Sequence, residues 1–196
     1  MRKKSHISLA NGLMKNFDSK LISKHKFTFC IASIWPDCRP SFITTPHRID
    51  KTFSLVKRNI FKLVDNDKDF TKLTTAKTAH IGVILHYVAD YFTYPHNIEY
   101  TGTFKDHVYY EKDLKYKIKK YVTGNDVREL KNNATVLTTP DKLFEHISKA
   151  HSEYLKTIHS LEQDVKYITQ ICMDVFISIV AMLGIDISSI DCASTI

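Results

Sequence analysis

Glycine and proline are scarce in this chain, with five of each among 196 residues. So few turn formers argue against a sheet built on many tight hairpins and favour long helices. No GxGxxG or P-loop pattern occurs, so a nucleotide-cradling loop has no support. The four cysteines, Cys30, Cys38, Cys172 and Cys192, show no CxxC spacing, which excludes a zinc knuckle and a dithiol redox motif. Reduced thiols in a cytoplasmic protein are the expectation. The opening stretch MRKKSHISLANGLMKNF lacks an uninterrupted apolar region with a cleavage site, so no signal peptide is read. A cytoplasmic location follows for the chain as written, with secretion left open. Near the other end, ITQICMDVFISIVAMLGI is interrupted by Gln170 and Asp174 and reads as a core helix rather than a membrane span.

What is present is ordinary globular material: hydrophobic residues make up 43% and charged residues 25%. That composition and length predict one domain over residues 1–196, large enough to bury a core. The formal net charge of +7 fits an anionic partner such as a phosphate group, a nucleic acid or an acidic membrane surface. It is weak support, because lysine-rich faces are commonly just solvated. Helical periodicity predicts helices near 5–15, 18–34, 48–65, 72–93, 103–122, 139–158 and 160–184, hence an all-α, compact multi-helix domain. WPDCRPSFITTPHRID, with Pro36, Pro40 and Pro46, reads as an ordered loop, and TGNDVRELKNNATVLTTPD as an exposed one.

The segment HYVADYFTYPHN, residues 86–97, carries the chemistry. His86 and Asp90 are four apart, so they share a helix face, and Val83 one turn earlier lies on it too. An imidazole and a carboxylate on an apolar face are costly unless paired or bound. Pro95 then ends or kinks the helix, leaving His96 free to face elsewhere. The next helix repeats the arrangement: His107 and Glu111 lie on a stripe with Phe104, Leu114, Ile118 and Tyr121. His6 shares an inward stripe with Ala10 and Leu13, and the proline-rich loop supplies Asp37 and His47. These N and O donors suit zinc. A divalent cation would neutralise them and make ligand binding part of the folding free energy.

The plainer reading is that such i,i+4 pairs are salt bridges and that a buried histidine is a satisfied core residue. Two pairs on consecutive apolar stripes, with His96 between them, weigh against that reading. Among the other histidines, His25 reads as a surface or helix-end residue and His80 as the edge of the apolar run. His146, His151 and His159 read as solvated.

His86-x3-Asp90-x5-His96, with proline before the last histidine, resembles the signature of the bacterial zinc-dependent phospholipase C family. His107-x3-Glu111 resembles that family's second pair. Asp37, His47 and His6 resemble its upstream ligands in the same order, so the resemblance spans residues 6–111. It implies an all-helical fold with two or three zinc ions. Asp37, His47, His86 and Asp90 would hold one ion, and His96, His107 and Glu111 another. Asp90 would bridge to a third bound by His6. The sequence departs at that third site, where the family supplies an N-terminal tryptophan; here the chain begins MRKKSH and its only tryptophan is Trp35. The implied activity is phosphodiester hydrolysis of a phospholipid, releasing diacylglycerol and a phosphorylated headgroup, with Asp37 as general base. Trp35, Phe42, Tyr91, Phe92 and Tyr94 are near enough in sequence to form a cage for choline, or else belong to the core.

Two other functions stay open. The related three-zinc single-strand nucleases share the helical fold, and the positive charge suits nucleic acid, although a phospholipid or other phosphodiester is the preferred partner. Contact with a membrane surface is compatible with either charge or substrate. A non-catalytic helical protein with a structural metal site is the third reading. The sequence is silent on oligomeric state and headgroup.

Overall fold

Four helices begin where a hydroxyl side chain precedes a helical run. Thr74, Thr103, Thr139 and Ser160 each accept a backbone N–H three residues on. Each such cap satisfies an otherwise orphaned donor and contributes about 1 kcal/mol. Thr103 and Asp106 complete a reciprocal capping box, and Pro140 occupies the first turn behind Thr139.

The computed structural model describes residues 1–15, 24–40, 45–65, 73–124 and 126–185. Its helices are α1 (Lys3–Lys15), α2 (Lys26–Ala32), α3 (Ile49–Asp65), α4 (Thr75–Tyr91), α5 (Phe104–Thr123), α6 (Asp126–Asn132), α7 (Pro140–Tyr154) and α8 (Leu161–Met182). Two 3-10 turns, Pro36–Cys38 and Tyr94–His96, interrupt the connections. Among the described residues there is no strand, so the fold is all-α as expected.

The boundaries need several corrections. The helix expected over 18–34 is described only as Lys26–Ala32, and residues 18–23 lie outside the described residues. The one expected to run to residue 93 ends at Tyr91, before Pro95 could interrupt it. The stretch read as an exposed loop after Thr123 contains α6, whose Leu130 is buried in the core. One buried leucine in a polar run of seven residues is too little periodicity to announce a helix.

α4 and α8 form the centre. α4 packs on α2, α3 and α8, while α5 packs on α1 and α8. Both central helices are buried on nearly every side, consistent with their lack of a polar face. α8 is long and apolar enough to cross a membrane, yet most of it is buried inside the protein. Gly82 lets α2 approach α4 closely. A Cβ there would stand 2.8 Å from Ala32 Cβ and 3.0 Å from the Phe29 carbonyl oxygen. This contact sits one turn before His86 and delivers the end of α2 to it.

Candidate metal centre

His86 is oriented by that packing. Its Nδ1 lies 2.8 Å from the Ser33 carbonyl oxygen at the end of α2. A carbonyl only accepts, so Nδ1–H must donate and Nε2 is left with its lone pair. Nε2 points at a cluster: His47 Nδ1 at 2.9 Å, Asp90 Oδ2 at 3.3 Å and Asp37 Oδ1 at 3.6 Å. Asp37, His47, His86 and Asp90 each place one donor atom within 4.8 Å of the others. The four come from a 3-10 turn, the loop before α3, and two successive turns of α4.

A second group forms from His96, His107 and Glu111, with donor atoms equally close together. Glu111 Oε1 is 3.1 Å from both His96 Nε2 and His107 Nε2. His96 reaches it from the Tyr94–His96 turn, and its Nδ1 stays 3.8 Å from Asp90 Oδ2. Asp90 therefore lies between the two groups.

The α-amine of Met1 joins them, at 2.5 Å from Asp90 Oδ1, 3.0 Å from His96 Nε2 and 3.3 Å from Glu111 Oε1. His6 Nε2 is 3.4 Å from the same Asp90 oxygen. It is buried with no hydrogen-bond partner, which makes it the orphaned polar atom of the centre. Such an atom costs about 1–3 kcal/mol unless something binds it.

The electrostatics show how much cationic charge this centre demands. Burial alone would raise the Asp90 carboxyl, but the Met1 amine with His96, His6 and His86 holds it well below the usual carboxylate range. Glu111 is likewise held low against burial, through hydrogen bonds with His107 and His96 and the charge of the amine. Asp37 goes the other way, pushed up by burial and by the neighbouring Asp90 charge. Burial opposes the Met1 ammonium, yet Asp90 and Glu111 outweigh it and raise its pKa. Burial, with His6 beside it, pushes His86 well below the ordinary imidazole range, so it stays neutral and able to donate its lone pair. Three carboxylates beside five imidazoles form a donor set that suits zinc. The residues fit the ion.

A family model described as zinc-dependent phospholipase C matches residues 5–161. The chain belongs to the zinc-dependent phospholipase C family. No curated protein and no solved structure matches it. All eight residues singled out by the phospholipase C resemblance, His6, Asp37, His47, His86, Asp90, His96, His107 and Glu111, converge at this one centre. In the chain as given, the amine of Met1 stands beside His6 and Asp90.

Other histidines depart from expectation. His151 was expected in solvent and is buried, with Nε2 2.8 Å from Asn97 Oδ1. It follows Ile147 by one turn and so shares the core stripe of α7. His25 stands at the N-cap of α2, in keeping with the helix-end reading, and is buried beside Thr75. His146 bonds Asp174 at 2.8 Å, and His159 stacks on Tyr94 at 4.0 Å, so neither is simply solvated. Of the aromatics near the centre, Tyr91 and Phe92 are core, Trp35 is half-exposed, and Phe42 lies outside the described residues.

Several supporting residues gave no sequence signal. Asn97 Nδ2–H donates to the Tyr91 and Thr93 carbonyls, closing the end of α4 just before the His96 turn. Asp164, fully buried, accepts hydrogen bonds from the Tyr94 backbone, Tyr110 and Tyr154. Only the three-dimensional neighbours of these two residues reveal what they hold.

Proposed function

We propose that this member of the family is a zinc-dependent phospholipase C that hydrolyses the phosphodiester of a phospholipid to diacylglycerol and a phosphorylated headgroup. The observation that carries the reading is the bridging position of Asp90 between two donor groups, within a chain matched by the family model over most of its length. Bound zinc would supply Lewis-acid polarisation of the phosphate and an acidified water.

This chain's own residues would do the rest. Asp37, His47, His86 and Asp90 would hold one ion, and His96, His107 and Glu111 a second. His6, with Asp90, would bind a third. The Ser33 carbonyl fixes the His86 ring so that Nε2 faces the centre. Asp37 sits on a 3-10 turn at the margin of its group, and we assign it the general-base role, taking the proton of the attacking water at its carboxylate. His107, about 29% exposed, marks the side on which the centre meets solvent.

Metal analysis of protein purified without added metal, followed by assays on phosphatidylcholine and single-stranded DNA, tests this reading. Two or three zinc ions with release of diacylglycerol would support it. Fewer than one metal per chain would sink it, and cleavage of DNA alone would make the protein a nuclease.

A further inference from the structure

The positive charge of this chain is gathered on one pair of helices. From Arg2 to Lys15 there are four cations and no carboxylate, and α5 carries six lysines against three carboxylates. These two segments therefore account for an excess of seven, equal to the net charge of the whole chain. They pack side by side, so close that a Cβ on Gly12 would stand 2.5 Å from Val122 Cβ. Along their outer seam lie two adjoining hollows of about 240 and 330 Å³, which share Ser8 and Lys119. Lys15, Lys26 and Lys119 line one; Lys4, Lys115 and Lys119 line the other. Neither hollow is lined by a carboxylate, and none of these five lysines pairs with an acid among the described residues. Gathered cations without counter-charges raise the local potential and attract anions.

The seam is continued by a stripe along α5. Lys105, Tyr109, Lys112, Tyr116 and Lys119 recur at alternating four- and three-residue intervals, which places them on one helix face. All five are exposed. Lys105 Nζ lies 5.9 Å from the Tyr109 ring centre, and Lys115 Nζ 4.1 Å from that of Tyr116. Phe104, at the first turn, is 83% exposed. Lysines with tyrosine rings suit the headgroup layer of a bilayer, where the ring sits at the interface and the ammonium meets phosphates.

We propose that the α1–α5 seam and this stripe form a docking surface for bilayers containing anionic phospholipid, separate from the metal centre. The choice of a bilayer over nucleic acid rests on the lipid substrate of the proposed function. A straight row along one helix also meets a flat layer of headgroups more readily than single bases that must each be stacked. Lys112 follows Glu111 by one residue, about 100° round the helix. Docking would thus leave the metal groups at the border of the contact, not pressed beneath it.

Sedimentation with vesicles tests the surface, comparing pure phosphatidylcholine with a mixture containing about one third phosphatidylglycerol. The protein is expected to bind the anionic vesicles, less so at high salt, and the pure phosphatidylcholine vesicles weakly. Lys115→Gln with Lys119→Gln should reduce partitioning to the anionic vesicles about 30-fold, since each lysine near such a surface contributes about a factor of five. Hydrolysis of a soluble short-chain phospholipid should be unchanged in that variant. Equal partitioning of the parent and the double variant would overturn the proposal, as would equal binding of the parent to both vesicle types. Tighter binding of a single-stranded oligonucleotide than of anionic vesicles, lost in the same variant, would also overturn it. Vesicle binding that depends on these lysines, with no hydrolysis of any phospholipid, would strike the proposed function and leave the docking surface standing.

Discussion

Asp164 accepts a hydrogen bond from the backbone N–H of Tyr94 at 2.9 Å, which joins the first turn of α8 to the turn that carries His96. The same carboxylate takes the hydroxyls of Tyr110 at 3.0 Å and Tyr154 at 2.6 Å. Tyr110 precedes Glu111, so one buried acid braces the approaches to two residues of the second donor group. In Asp164→Asn, one oxygen would become an amide that cannot accept, and at least one of the three donors would lose its partner. The expected cost is about 1–3 kcal/mol in urea unfolding. Zinc should also be held less tightly, as measured by chelator competition on folded protein. Unchanged zinc affinity would confine Asp164 to a purely structural role.

Asp164 also makes a pH prediction. Burial pushes its carboxyl up to about 6 despite the three donors, against about 3.9 in an unfolded chain. The folded state therefore binds this proton more tightly than the unfolded state does. The stability it contributes is present in full below pH ~4 and is lost as pH rises through ~6. That loss amounts to about 3 kcal/mol at most. Chemical unfolding of metal-free protein across that window should show the declining component, and Asp164→Asn should lack it. Identical slopes in both proteins would contradict the prediction.

His86→Ala removes a donor atom from the first group and leaves the Ser33 carbonyl without its N–H. Zinc content by elemental analysis should fall by about one ion per chain, and the melting temperature should fall with it. An unchanged zinc content would remove His86 from the ligand set.

Gly82→Ala tests how the site depends on helix packing. The new methyl would press on Ala32 Cβ, on the Phe29 carbonyl oxygen and, at 3.1 Å, on the Ser33 backbone nitrogen. Backbone atoms cannot rotate away, so a net loss of about 1–3 kcal/mol is expected despite the better helix propensity of alanine. Displacing Ser33 should also loosen His86, which a chelator titration would register as weaker zinc retention. A variant as stable as the parent would show that α2 can yield at this point.

Removing metal should lower stability by mass action, because the ion binds the assembled donors and not the dispersed chain. Thermal unfolding in EDTA is expected to occur well below that of zinc-loaded protein. Coincident transitions would argue that the carboxylates and imidazoles are satisfied without an ion.

The donors were legible in the sequence because a helix repeats every few residues. His86 with Asp90, and His107 with Glu111, could be placed on shared faces from their spacing alone. The stripe of His6 with Ala10 and Leu13 turned that histidine inward, but joining it, Asp37 and His47 to the two pairs needed the phospholipase C resemblance, since no local period aims a side chain at a distant one. His151 was misread although its stripe with Ile147 and Tyr154 was available, because the many charges around it obscured the core face of α7.

By itself the sequence determined the helical class and the two histidine–carboxylate pairs, which follow from local periodicity. Only the tertiary structure decided that Asp90 of the first group lies beside His96 of the second, that the Ser33 carbonyl selects the His86 lone pair, and that Asp164 braces the His96 turn. Those contacts join residues up to 70 positions apart. They arise from how helices pack, as where Gly82 admits α2, and local spacing carries no record of that packing.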